Sequence, residues 1–332
     1  MQPLRDSFGR PITYLRISVT DRCNLRCAYC MPVEGVQWQP RDEILTDDEI
    51  TQVVSAAAAL GIRNIRLTGG EPLVRADLPR LINRISHITG IEDIGLTTNG
   101  MLLEKLAPAL ADAGLSRVNV SLDTLNPDTF HHLTRFGHFE QTWRGIEAAE
   151  RHGLTPIKLN TVVIRGINDH ELCDLAQLTV EHPWHMRFIE LMPIGNTEDW
   201  GEGFTTAEER YVSVQEMRER LAPLSLTPEQ SPAGNGPART FRIPNALGTV
   251  GFISPLGDHF CVSCNRLRLT ADGRLRPCLI QTGEVPVREA LRRGEDISAL
   301  ITQAVLAKPA GHGLLEPTIG VSHNRMMCQI GG

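Results

Sequence analysis

Between residue 13 and about residue 192, short runs rich in β-branched residues alternate with longer stretches whose apolar residues recur every three or four positions. The short runs read as strands and the longer period as amphipathic helices. This pattern predicts strands over 14–19, 64–67, 93–97, 117–121, 157–163 and 187–191, and helices over 47–60, 78–87, 103–113, 142–152 and 171–181. Thr46 stands three residues before Glu49, and Ser213 before Glu216, which is the spacing of a capping box. Gly61, Gly114 and Gly153 each follow a helical run, where a left-handed C-terminal cap is wanted. Alternation with such short loops implies right-handed βαβ units and a parallel sheet. Six strands rather than eight make the expected fold α/β, an open partial (β/α)6 TIM-like barrel.

Residues 223–239, rich in Pro, Gly and Ser, mark a loop or domain boundary. Beyond them the pattern predicts short strands over 241–243, 248–253 and 268–270, a hairpin turn over 271–274, and helices over 287–293 and 297–307. The expected division is a barrel domain over 1–230, with its core at about 13–222, and a smaller α+β domain over 231–332.

The 332 residues suffice for a full core, and 41% apolar with 22% charged residues is ordinary globular composition. A net charge of −6 argues against nucleic-acid or membrane-surface partners and leaves anion binding to local basic clusters. No apolar run is long enough to span a bilayer, and the first residues do not read as a signal peptide. Eight cysteines in such a chain read as cytosolic thiols or metal ligands, so a soluble cytoplasmic protein is expected.

Six of those cysteines form two triplets. Cys23, Cys27 and Cys30 have the spacing C-x3-C-x2-C, with Tyr29 just before the third; Cys261 and Cys264 are followed by Cys278. Thiolates favour zinc, copper(I) or iron–sulfur clusters, and a four-iron cluster normally takes four cysteines. Three would leave one iron open. Structural zinc wants four closed ligands, and no fourth Cys or His stands near the first triplet in sequence. Taken alone, the second triplet is equally compatible with a zinc ribbon completed by His259 or Cys328. Cys173 lies in an amphipathic helix and reads as a core thiol.

The remaining candidate chemistry falls at predicted strand ends: Gly69-Gly70-Glu71-Pro72, Thr97-Thr98-Asn99-Gly100, Ser121-Leu122-Asp123 and Met192-Pro193. One rim of an α/β barrel gathers such segments into an active site. Arg16, Arg66 and Lys158 sit on predicted strands that otherwise read apolar, where an unpaired charge is costly. A lone Arg there is more often half of a structural ion pair than an anion ligand. Arg266 and Arg268 are open to a second reading, as residues of an edge strand with one of them turned to solvent.

The first cysteine motif, Tyr29 and Gly69–Pro72 together resemble the radical S-adenosylmethionine (SAM) superfamily. Thr20–Pro32, Arg66–Leu73, the second triplet and the terminal double glycine are similar to one family within it, the GTP 3′,8-cyclases of molybdenum-cofactor biosynthesis, over essentially the whole chain. That resemblance implies two [4Fe-4S] clusters, one held by Cys23, Cys27 and Cys30 with SAM on its open iron, the other by Cys261, Cys264 and Cys278 with its open iron facing the guanine of GTP. It implies SAM contacts from Tyr29, Gly70, Glu71, Ser121 and Met192, and GTP contacts from Arg16, Arg66, Thr97, Lys158, Arg266, Leu267 and Arg268. Gly331 and Gly332 end a tail that enters the active site in that family, where Cys328 is a departure: harmless, or an extra ligand for the second cluster.

The implied reaction is cleavage of SAM, hydrogen abstraction from C3′ of GTP and closure of C3′ onto C8, giving 3′,8-cyclo-7,8-dihydro-GTP. An external electron donor of the flavodoxin or ferredoxin type would reduce the clusters. The product would pass to cyclic pyranopterin monophosphate synthase, and the chain would be a monomer or homodimer. The rival expectations are a radical SAM enzyme acting on a peptide or another nucleotide, and a non-catalytic metal-binding scaffold.

Overall fold

The six predicted strands form where the apolar pattern puts them: β1 (Tyr14–Ser18), β2 (Asn64–Thr68), β3 (Asp93–Thr98), β4 (Arg117–Ser121), β5 (Lys158–Val163) and β6 (His185–Glu190). Each is the parallel neighbour of the next. The computed structural model describes residues 2–193, 206–231, 236–257, 260–313 and 325–331. Between the strands lie α1 (Asp47–Ala59), α2 (Leu78–Ser86), α3 (Leu103–Asp112), α4 (Pro127–Thr134), α5 (Phe139–Arg151) and α6 (Leu172–Glu181). The expected capping box on α1 is complete, with Glu49 N donating to Thr46 Oγ1 at 3.2 Å and Thr46 N donating to Glu49 Oε2 at 2.7 Å. Gly61, Gly114 and Gly153 all take positive φ. α4 was not expected. Its start signals are present in the sequence, since Pro127 opens it and Asn126 Oδ1 accepts from Thr129 N at 2.9 Å.

Six more strands follow: β7 (Thr227–Pro228), β8 (Arg239–Arg242), β9 (Thr249–Ile253), β10 (Arg266–Leu269), β11 (Arg274–Arg276) and β12 (Val285–Pro286). Among the described residues they complete a twelve-stranded sheet in the order β12-β11-β10-β1-β2-β3-β4-β5-β6-β9-β8-β7. β10 pairs in parallel with β1, and β9 in parallel with β6. The expected six-stranded partial barrel is thus the centre of a longer parallel run, extended at both edges by strands from beyond residue 230.

Side-chain alternation divides the strands between two environments. Leu15, Ile17, Ile65, Leu67, Leu96, Val118, Val120 and Leu159 are fully buried, in one apolar cluster with Val53 and Val54 of α1 and Leu110 of α3. Each such side chain stabilises the fold by about 1.5–3 kcal/mol. Cys173 packs against this cluster, as expected. The alternate positions, Tyr14, Arg16, Arg66 and Lys158, line an internal cavity instead. No described helix is long and apolar enough to cross a membrane.

Candidate active site

A cavity of about 370 Å³ is lined by both cysteine triplets. The first lies in the loop after β1. Leu25 and Ala28, between its cysteines, and Met31, just after the third, are buried and pack the loop down. Cys30 N donates to Cys27 O at 2.9 Å, and Leu25 N to Cys23 Sγ at 3.4 Å. The unexpected α4 holds the loop from outside: Arg26 N and Ala28 N donate to Thr134 O and Leu133 O, and Arg135 Nη1 donates to Arg26 O and Met31 O, both at 2.9 Å. Burial pushes the Cys23 thiol up to about 12 and holds those of Cys27 and Cys30 well above the ordinary range, Cys30 chiefly through a hydrogen bond with Cys328. A bound metal removes such protons outright.

Gly69 and Gly70 run against this loop. Gly70 N donates to Thr20 O and Glu71 N to Arg22 O, both at 2.8 Å. A Cβ on Gly70 would lie 2.4 Å from Arg22 O, and one on Gly69 2.5 Å from Thr20 O. The close approach these glycines permit is therefore to the cysteine loop itself. Glu71 is 1% exposed, and burial raises its carboxyl to about 7. It accepts from Thr98 Oγ1 (2.6 Å), Asn99 N (2.7 Å) and Leu73 N (3.0 Å). Of the roughly four lone-pair sites on a carboxylate, one is left. Tyr29 donates to Asp123 Oδ2 at 2.7 Å, and burial raises Asp123 to about 6. Ser121 and Met192 line the cavity beside Tyr29, each at a strand end as expected.

The cavity floor is basic. Arg16, Arg66 and Lys158 converge there with Arg117 of β4 and Arg187 of β6, two residues not expected in the site. Arg66 Nε donates to Tyr14 Oη at 3.0 Å, and its Nη1 to Leu96 O (3.0 Å) and Asn119 Oδ1 (3.2 Å). Gly95, the register partner of Arg66, makes room for it: a Cβ there would lie 2.5 Å from Arg66 Cζ. Burial, then the neighbouring Arg187, Arg117 and Arg66, push Lys158 down to about 6. Burial and adjacent cations likewise lower Arg16 and Arg187 to about 9, while Arg66 and Arg16 lower Tyr14 to about 8 against its burial.

Among the described residues, eight Arg and Lys side chains line the cavity against three Asp and Glu, with Arg117 also paired to Asp93 behind it, a formal lining surplus of five positive charges in a chain whose net charge is −6. Thr97 Oγ1, Asn160 Oδ1, and Nε and Nη2 of Arg117 are buried here without a hydrogen-bond partner among the described residues. Repelling cations and unsatisfied polar atoms in one cavity are what a bound polyanion relieves.

Arg266 and Arg268 both face the cavity, because positions two apart share a strand face and β10 is an interior strand paired on both sides. The edge-strand alternative is therefore overturned. The Leu267 side chain between them is 1% exposed and belongs to the apolar core. Arg266 Cζ lies 5.0 Å from the centroid of the Phe260 ring, and Lys308 Nζ donates to Arg266 O (2.9 Å) and Pro277 O (2.8 Å) beside the second triplet. Lys308 and Arg266 draw the Cys264 thiol below its ordinary value against the effect of burial, whereas burial raises that of Cys261. Among the described residues no three His, Cys, Asp or Glu side chains gather around a single ion. The donor set of each triplet suits a four-iron cluster, whose ligands bind separate corners. His259 and Gly332 lie outside the described residues.

The tail also reaches the cavity. Arg268 Nη1 donates to Gly331 O at 2.7 Å, and Gly331, at φ +71°, abuts Thr68, whose Cγ2 would lie 2.9 Å from a Cβ there. Of the two readings open for Cys328, harmless or an extra ligand of the second cluster, the structure favours neither outright: the tail turn carries it to Cys30 of the first triplet. The first triplet accordingly has a fourth thiol beside it that its sequence neighbourhood does not contain.

The profile of the Radical SAM superfamily matches residues 17–179, and that of Molybdenum Cofactor Synthesis C matches residues 184–314. The chain is 52% identical to the GTP 3′,8-cyclase of Pelotomaculum thermopropionicum, over 99% of this chain and 100% of that one. It is 50% identical to the GTP 3′,8-cyclase of Desulforamulus reducens, over 98% and 99%. Among solved structures it resembles Streptococcus suis SuiB bound to S-adenosylmethionine, with a TM-score of 0.64 at 14% identity over 92% of this chain and 68% of that one, a likeness of fold.

Proposed function

This chain belongs to the GTP 3′,8-cyclase family of radical SAM enzymes, and from that premise we propose which of its side chains hold each reactant. It converts GTP to 3′,8-cyclo-7,8-dihydro-GTP, the first step of molybdenum-cofactor biosynthesis. The observation that carries the site assignment is one cavity lined by two three-cysteine sets with a surplus of positive charge.

Cys23, Cys27 and Cys30 hold the SAM-binding [4Fe-4S] cluster, and Cys261, Cys264 and Cys278 a second one. When bound, the first cluster with SAM supplies a 5′-deoxyadenosyl radical able to take hydrogen from C3′ of the substrate. The chain's own work is positioning. Ser121 and Met192 contact the ribose and adenine of SAM; Gly70 and the remaining lone pair of Glu71 serve its methionine end; Tyr29, fixed by Asp123, closes that side. Arg16, Arg66, Thr97 and Lys158, joined by Arg117 and Arg187, hold the triphosphate. Arg266 and Arg268, with the backbone of Leu267, hold the purine at the second triplet, and Gly331 covers it. Phosphate contacts far from C3′ are binding energy directed to the geometry of the reacting carbons.

The same reading divides the chain at about residue 230, takes electrons from a flavodoxin- or ferredoxin-type donor and passes the product to cyclic pyranopterin monophosphate synthase. Anaerobic incubation with GTP, SAM and dithionite tests the function. Cyclised GTP is expected; SAM cleavage without any cyclised nucleotide would move the assignment to a peptide or another nucleotide.

Lys158 gives this reading a pH signature. Its value of about 6 lies below the ordinary 10.5, so it is mostly neutral at pH 8 in the free protein. A triphosphate favours the charged form and raises that value. GTP binding at pH 8 therefore takes up a proton, the uptake fades as pH falls through 6, and the contribution of Lys158 to affinity weakens as pH rises. Calorimetry in two buffers of different ionisation enthalpy, without SAM, reads the uptake. Lys158→Met is expected to lower it by up to one proton, and an unchanged uptake would remove Lys158 from the phosphate site.

A further inference from the structure

The first triplet has a fourth thiol within reach. Cys328, in the helical turn Met327–Ile330, is 3% exposed and lines the same cavity as Cys23, Cys27 and Cys30, close enough to Cys30 to be the main influence holding that thiol above its ordinary value. The turn is fastened at both ends. Arg325 Nη2 pairs with Asp272 Oδ2 at 2.7 Å and its Nε with Glu284 Oε1 at 2.9 Å, while Gly331 O accepts from Arg268 at 2.7 Å. Met326 N donates to Gln329 Oε1 at 2.9 Å, and Ile330 is 1% exposed. The anchors present Cys328 to Cys30 from a position 298 residues away in sequence.

We propose that Cys328 is a displaceable fourth thiolate of the cluster held by Cys23, Cys27 and Cys30, occupying without SAM the iron corner that SAM takes when it binds. This rests on the assignment of that triplet to the SAM-binding cluster. Four thiolates are the usual complement of a four-iron cluster, so the capped state is chemically ordinary. Ligation breaks the Cys328 S–H bond, forms an S–Fe bond and releases the proton to solvent. Entry of SAM's amino and carboxylate groups reverses both changes, with no change in oxidation state. Only a single helical turn has to move. Two consequences follow: the capped corner resists loss of iron, and SAM binds more weakly by the fraction of clusters that are capped.

The test compares the anaerobically reconstituted full chain with its Cys328→Ala variant. Ferricyanide oxidation without SAM strips iron from uncapped corners and leaves the paramagnetic [3Fe-4S] form, counted by electron paramagnetic resonance. The second cluster contributes equally to both chains, so Cys328→Ala is expected to give about twice the [3Fe-4S] signal per chain, and saturating SAM is expected to equalise the two. Cys328→Ala is also expected to bind SAM several-fold more tightly by equilibrium dialysis, a gain that misfolding does not produce. Equal [3Fe-4S] yields and equal SAM affinities would overturn the proposal. A control with Cys23, Cys27 and Cys30 all replaced by Ala, which Cys328 alone cannot rescue, separates the two levels: loss of about four irons per chain supports the underlying cluster assignment, and an unchanged iron content defeats that assignment itself.

Discussion

Arg266→Ala and Arg268→Ala each still bind SAM and lower GTP cyclisation by about a hundredfold or more. A hydrogen bond to a charged group contributes about 1.5–3 kcal/mol, which is roughly a ten- to hundredfold effect on binding alone. Misplacing the reacting carbons by about 1 Å adds a comparable factor in rate. The two arginines share one face of β10 and line the cavity beside Cys264 and Cys278. Arg268 has a second task, because it also holds Gly331 O at 2.7 Å. Its loss frees the tail as well as the purine, so Arg268→Ala is the more damaging of the two. Equilibrium dialysis with SAM and product yield from GTP measure the two halves of the expectation, and wild-type turnover in either variant removes that arginine from the substrate site.

Gly70→Ala empties the first cluster site. A Cβ at this position meets Arg22 O at 2.4 Å and Asp21 O at 2.6 Å, both backbone atoms with no rotamer to yield. The Gly70 N–Thr20 O and Glu71 N–Arg22 O bonds, each 2.8 Å, then break or drag the cysteine loop with them. Overpacking of this kind costs about 1–3 kcal/mol, and here the strain falls between Thr20 and Cys23. Iron analysis of the reconstituted variant is expected to find about four irons per chain where the parent holds about eight. Full iron loading with normal SAM cleavage would show that the loop tolerates the change. Gly95→Ala makes a useful contrast, since its Cβ meets the guanidinium of Arg66 rather than backbone, and the strain falls on the hydrogen bonds of Arg66 in the basic cavity and not on the cysteine loop.

The barrel was legible because its signals are local. β1 to β6 and their helices follow from apolar period, caps and terminal glycines, and motifs at strand ends share a rim by topology alone. Arg16, Arg66 and Lys158 stood out as charges within apolar strands. Arg117 and Arg187 carry a similar signal but open their predicted segments, where a charge reads as a solvated end. Arg187 is in fact the third residue of β6, which begins at His185. Sequence pattern does not encode that β9 and β10 join opposite edges of the barrel sheet, because strand pairing is set by long-range packing rather than local propensity. The position of Cys328 was hidden for the same reason: its partner Cys30 is specified by the tail's ion pairs with Asp272 and Glu284, not by spacing.

The central claim is that one cavity holds GTP between two three-cysteine sites with C3′ turned toward SAM. Anaerobic turnover with GTP deuterated at C3′ tests it most directly. The account predicts deuterium in the released 5′-deoxyadenosine together with a cyclised nucleotide joined between C3′ and C8. Deuterium-free 5′-deoxyadenosine, formed without any cyclised nucleotide, would contradict it.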